Sequence, residues 1–291
     1  MITVPFIFAA IFAMIPYLAA AFFGKHFSAA LDRFPKIARF GLPAVFCVPY
    51  LVVTLSTGSF RWGWFALYLL LPVAIAVALD QARRIDLRQR GSWLDFLVLI
   101  PLGLAVDLRW FEPAWPGHLA VFNKVVLLDA GIYGFQFIRK LDGVGFDLRL
   151  RLCDLGFGLR EFLFYTPVAI VLGLGIGFLH FHVLWPSPLK LGGALIFTFF
   201  FIAVPEELFF RGWLQNLLER RVGRYSALIL TAVLFGLSHW NKRTTGFNWQ
   251  YVLLAAIAGV FYGRAWRRER RVGASAITHA TVDTVWSIWF R

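Results

Sequence analysis

The chain has 291 residues, 59% of them hydrophobic, with a mean hydropathy of +0.70 and a formal net charge of +13. Ordinary globular domains are roughly 45–50% apolar, so the composition excludes a soluble fold and predicts an all-α, polytopic membrane helix bundle. The basic excess does not indicate nucleic acid, because Lys and Arg cluster between apolar segments, where they set topology and meet anionic lipid.

Ten apolar spans are predicted along the chain, at about residues 2–23, 40–57, 62–79, 92–106, 118–138, 161–184, 191–210, 225–241, 248–265 and 272–290. The first lacks a basic leader and exceeds the usual length of a signal core, so it reads as a retained span. The fourth is short enough to be re-entrant. The fifth contains Lys124 and Asp129, which mark either a second polar patch or a displaced boundary. The strip 146–160 mixes basic and apolar residues in the manner of a segment lying along the interface. Cys47 and Cys153 are too few and too far apart for a disulfide framework or a zinc module. The twelve Trp residues suit interfacial belts.

Loop charge orients the spans. Basic residues follow every odd-numbered span: Lys25, Arg33, Lys36 and Arg39; Arg83, Arg84, Arg88 and Arg90; Arg139, Lys140, Arg149, Arg151 and Arg160; Arg220, Arg221 and Arg224; then Arg264 to Arg271. The alternate loops are poorer, with Arg61, Arg109, Lys190, Lys242 and Arg243. The basic loops are therefore expected in the cytoplasm and both termini on the other side, as in an integral protein of a bacterial inner membrane.

Three places inside the apolar runs carry chemistry-capable side chains. An ionisable group in a bilayer helix costs several kcal/mol, on the order of 2.5–3.5 on insertion scales, and so marks a functional site by default. The first place is Glu206-Glu207-Leu-Phe-Phe-Arg211. Glu207 and Arg211 are four apart and share a helix face, so they can pair. Glu206, rotated by about 100°, points to another neighbour. One acid is then structural and the other is available as a general base or acid; the plain alternative is a structural ion network. The second place is Phe235-Gly-Leu-Ser-His239, the third His279-Ala-Thr-Val-Asp283, whose His and Asp also share a face. A lone membrane histidine is ordinarily a helix–helix hydrogen bond, but three polar sites fall in the last hundred residues. Glu206 and His239 lie at similar depths, roughly 20 Å from their helix ends, whereas His279, seven residues past Val272, lies roughly 10 Å deep. His180 and His182 sit near an outer boundary and face water or headgroups.

These three motifs, in this order on successive apolar helices, resemble the CAAX prenyl protease and bacteriocin-processing (CPBP, or ABI) family. The resemblance covers about residues 160–291, leaving the first five spans outside it. It implies N-terminal membrane helices of unassigned role over 1–145 and a catalytic helix bundle over 146–291. It also implies intramembrane endopeptidase activity on a membrane-embedded or lipidated peptide or protein. By that analogy Glu206 activates a water, His239 orients it or shuttles its proton, and His279 with Asp283 stabilises the oxyanion. Glu207, Arg211 and Phe235 support the site. Asp283 stands where the family more often has Asn, which brings a charge, or a neutral donor when protonated. No cofactor is required; zinc on Glu206, His239 and His279 is the alternative, although no His-Glu-x-x-His helix is present. Two further readings are a non-catalytic immunity or binding protein that keeps the cluster for packing, and a transporter using the acids as a proton relay. The transporter would call for an internal repeat, and none is evident.

Overall fold

Apolar runs of bilayer length become helices because lipid offers the backbone no other hydrogen-bonding partner. The computed structural model describes residues 3–182, 184–242 and 246–290; Arg243 lies outside them. Ten helices are present among the described residues: α1 Val4–Leu31, α2 Lys36–Ser56, α3 Trp62–Ile85, α4 Trp93–Asp107, α5 Val121–Ile138, α6 Leu152–Gly175, α7 Pro188–Val222, α8 Arg224–Leu237, α9 Trp249–Glu269 and α10 Val272–Trp289. Six of them, α1, α2, α3, α5, α6 and α7, are long and apolar enough to cross a membrane. The sole β pairing among the described residues is an isolated antiparallel bridge between Phe181 and Phe290.

The chain divides into two units, Met1–Asp142 and Gly143–Arg291. In the first, α5 is the most buried span and packs against α1, α2, α3 and α4. It runs unbroken through Lys124 and Asp129: Lys124 faces outward and Asp129 is buried, so the boundary stands and the two residues do not form one patch. Arg139, fully buried, is held by Asp95 at 2.8 Å and Asp86 at 2.7 Å. Asp95 also closes a capping box with Ser92 that starts α4.

In the second unit the strip 146–160 divides between two elements. Its second half is the beginning of α6, which spans Leu152–Gly175 instead of 161–184. The physical reason is Asp154, whose carboxylate accepts the Arg151 N–H at 2.8 Å and the Arg271 guanidinium at 2.8 and 3.0 Å, fixing the first turn. Arg271 also donates to the carbonyls of Asp147 and Arg149, and Val272 N–H to that of Gly145. Gly145 has φ +72°, and a Cβ there would sit 1.6 Å from the Arg270 carbonyl oxygen, so only glycine fits. These ties bury the start of α10, with Val272 fully enclosed.

Helices α8 and α9 approach closely across Gly236 and Gly263. A Cβ on Gly236 would meet the Val252 carbonyl at 2.5 Å, and one on Gly263 would meet Leu228 at 2.4 Å. Small residues at such crossings are how helices pack where no hydrophobic force separates protein from lipid.

Candidate active site

The site is built on a local fault in α7. Pro205 has no N–H and its ring crowds the preceding turn. The helix widens into π geometry over Phe199–Ala203 and again over Leu208–Gln215, leaving Glu206 and Glu207 on the short α-helical stretch between. Such π turns inside α-helices recur at functional sites because they re-aim side chains.

The two adjacent acids meet different surroundings. Glu207 and Arg211 are fully buried and pair through Oε1 and Nη1 at 2.9 Å. Arg211 donates its other terminal nitrogen to the Gly259 carbonyl at 3.0 Å, and its guanidinium lies over the rings of Phe235 at 4.5 Å and Tyr262 at 5.3 Å. The cation thus meets a carboxylate, a carbonyl and two aromatic rings, while its Nε is buried without a hydrogen-bond partner. Glu206, one residue earlier, keeps 30% of its side chain exposed and faces His279 Nε2 at 3.9 Å.

His279 joins the helices. Its Nδ1 donates to Glu207 Oε1 at 2.8 Å, and its Nε2 faces Asp283 Oδ2 at 3.4 Å. Tyr262 stacks on the ring at 4.6 Å and Phe235 meets it edge-on at 5.6 Å. The depth difference expected for His279 does not keep it from Glu207, because α10 begins inside the protein body rather than at its surface. His239 donates Nδ1–H to the Phe235 carbonyl at 2.9 Å, which fixes the tautomer with its lone pair on Nε2. Its ring packs on Phe235 at 4.9 Å and Tyr251 at 4.7 Å. His239 also lies within electrostatic range of Glu206. His180 and His182 fall outside this group, in the extended segment after α6, where His182 N–H bonds the Trp289 carbonyl.

His239, His279 and Asp283 open onto a cleft of about 690 Å³, part of it open to the outside, among α6, α8, α9 and α10. Its walls are otherwise apolar and aromatic, with Phe162, Tyr165, Tyr251 and Trp286 prominent. Sequence reasoning missed Tyr165 and Tyr262, the rings that form the cleft wall and the stacking partner of His279; no motif spacing singles them out from the chain's other aromatics. Among the described residues, no three His, Cys, Asp or Glu side chains are grouped so as to hold a metal ion.

The arrangement brings one accessible carboxylate, one imidazole with an available lone pair, and an acid-flanked imidazole together beside an apolar cleft. That is a hydrolytic set in outline: a base, a proton carrier and donors for a developing negative charge. Residues 188–285 match the family model for type II CAAX prenyl endopeptidase Rce1-like proteins, and the match contains every residue of the three motifs. Comparisons with curated proteins and with solved structures give no match. Residues 188–285 are thus similar to Rce1-like type II CAAX prenyl endopeptidases, a family of peptide-bond hydrolases, in a chain with six helices long and apolar enough to cross a membrane.

Proposed function

We propose that the chain hydrolyses a peptide bond of a membrane-embedded or lipidated protein or peptide, using a water activated by Glu206. The observation that carries this reading is the unequal placement of two adjacent acids. Glu207 is enclosed and held by Arg211 and His279, whereas Glu206 remains accessible beside the same imidazole. Glu206 takes a proton from water as its oxygen attacks the carbonyl carbon, and returns that proton to the leaving amine as the C–N bond breaks. His239, with Nδ1–H committed to Phe235, offers Nε2 to orient the water. His279 Nε2–H and, when protonated, the Asp283 carboxyl are the donors for the oxyanion. Glu207, Arg211 and Phe235 hold these groups in place. The apolar cleft favours a substrate segment that is itself apolar or carries a lipid chain. The chemistry proposed needs no metal.

The test is cleavage of a membrane-anchored peptide by reconstituted protein. Glu206→Gln is expected to lower the rate by about 10²–10⁴-fold with unfolding unchanged, and wild-type cleavage to persist in EDTA. Equal rates in the two proteins sink the assigned base, and loss with the chelator sinks the metal-free scheme. The loop charges support an orientation with both termini on the non-cytoplasmic side of a bacterial inner membrane. Reporter fusions to the termini that work only in the cytoplasm would contradict that orientation.

A further inference from the structure

The end of α7, the start of α8 and the end of α9 carry a basic rim that the proposed chemistry leaves unused. Gly223, at φ +81°, alone separates α7 from α8. Over residues 216–226 and 265–270 the sequence has six arginines and two glutamates, an excess of four positive charges. Glu219 accepts hydrogen bonds from Gln215 at 3.1 Å and Arg270 at 2.7 Å, and lies 3.2 Å from Arg267 Nε. One acid is thus shared by two arginines. Arg224, within electrostatic range of Arg267, makes no ion pair among the described residues.

Two independent features at this rim call for an anion. Helix α8 begins at Arg224 without a side-chain cap, so the N–H groups of its first turn lack acceptors within the helix and favour negative charge. Arg267 keeps only 7% of its side chain exposed, and its guanidinium lies over the ring of Tyr225, on that same first turn, at 5.5 Å. Its Nε is buried without a hydrogen-bond partner, and its terminal nitrogens make no hydrogen bond among the described residues. A guanidinium fixed between a carboxylate and a ring, beside an uncapped helix end, presents a planar fork that matches a phosphate.

What continues from the rim selects the occupant. Tyr225, Ile229, Val233 and Leu237 are four residues apart on α8 and form one row, 78, 54, 47 and 42% exposed. From Tyr225 to Leu237 the row runs about 18 Å, close to half of the roughly 30 Å hydrocarbon thickness of a bilayer. A phosphate site at the head of an apolar track one leaflet deep fits a phospholipid and not a soluble phosphate compound. The excess of positive charge favours a headgroup with net negative charge over a zwitterionic one.

We propose that the first turn of α8, with Arg224 and Arg267, binds one anionic glycerophospholipid, its phosphate at the rim and an acyl chain along the row from Tyr225 to Leu237. The site is separate from the residues proposed for hydrolysis, and binding tests it without reference to cleavage. The full chain in detergent micelles is titrated with dioleoyl phosphatidylglycerol or dioleoyl phosphatidylcholine, and bound lipid is counted by native mass spectrometry. The first phosphatidylglycerol is expected to bind about tenfold more tightly than the first phosphatidylcholine, the size of one charge-assisted hydrogen-bonded pair. Arg224→Gln/Arg267→Gln should reduce this preference to less than about twofold and leave phosphatidylcholine affinity unchanged, since Glu219 keeps Arg270 and Gln215. Arg224→Gln alone, at an exposed residue, should remove part of the preference without disturbing the fold. Arg88→Gln/Arg90→Gln, in another basic loop, should leave it intact. Equal affinity for the two lipids, or a preference that survives Arg224→Gln/Arg267→Gln, overturns the assignment. Equal loss in Arg88→Gln/Arg90→Gln reduces the effect to diffuse charge and overturns it as well. Displacement of phosphatidylglycerol by inorganic phosphate at equal concentration assigns the rim to free phosphate instead.

Discussion

Arg211→Met places the strongest demand on the proposed architecture. The guanidinium is fully buried, bonded to Glu207 at 2.9 Å and Gly259 at 3.0 Å, and stacked over two rings. Methionine fills much of the same volume but leaves the Glu207 carboxylate with His279 as its remaining side-chain hydrogen-bond partner. Removing one partner of a buried pair costs about 3–5 kcal/mol, a large share of a total stability of about 5–15 kcal/mol. The double variant Arg211→Met/Glu207→Gln removes both charges and leaves His279 an amide oxygen to bond. It should recover part of the loss, with a coupling energy of about 2 kcal/mol or more. The assay is reversible unfolding in mixed micelles, run on both single variants and the double. A cost below about 1 kcal/mol for Arg211→Met, or strict additivity in the cycle, would refute the claim that this ion pair is buried and mutually dependent.

Two further predictions concern the polar entry to α6 and α10. Gly145→Ala is expected to abolish stable folding or lower stability by more than about 3 kcal/mol, since its Cβ would overlap the Arg270 carbonyl and its φ is positive; a mild effect in the same unfolding assay would contradict the close approach. Asp147 lies in the segment before α6, where its hydrogen bond from Arg149, aided by Arg271 nearby, lowers its pKa from 3.8 to about 2. A carboxylate with a depressed folded pKa adds stability that is complete above about pH 4 and disappears as pH falls toward 2. Asp147→Asn should therefore be less stable than wild type at pH 7 and indistinguishable from it near pH 2, and a difference that grows on acidification would reverse the assigned sign.

Local spacing and long-range contact explain which parts of the site were legible. The Glu207–Arg211 pair follows from a separation of four residues, and the structure contains it at 2.9 Å. His279 and Asp283, also four apart, approach to 3.4 Å, yet the shorter bond of His279 goes to Glu207, 72 residues away. No local pattern encodes that choice. The same holds for Arg271, whose bond to Asp154 spans 117 residues and sets the start of α6 nine residues before the expected 161. Helix α1 likewise continues past the expected end at 23 to Leu31, although the backbone bends at Phe23, because Lys25 and His26 do not by themselves stop a helix.

Taken alone, the sequence determined that the chain is a helical membrane bundle and that Glu206, Glu207, Arg211, His239, His279 and Asp283 are its anomalous polar groups. Lipid makes helices obligatory and buried charges conspicuous, and both facts are written in composition and spacing. Tertiary structure alone decided which acid is enclosed and which is accessible, and that α10 starts inside the protein body. It also decided that Glu161 of α6 and Arg264 of α9 meet. Those outcomes depend on helix crossings at glycines and on π turns around a proline, where displacements of a few ångströms select one neighbour over another.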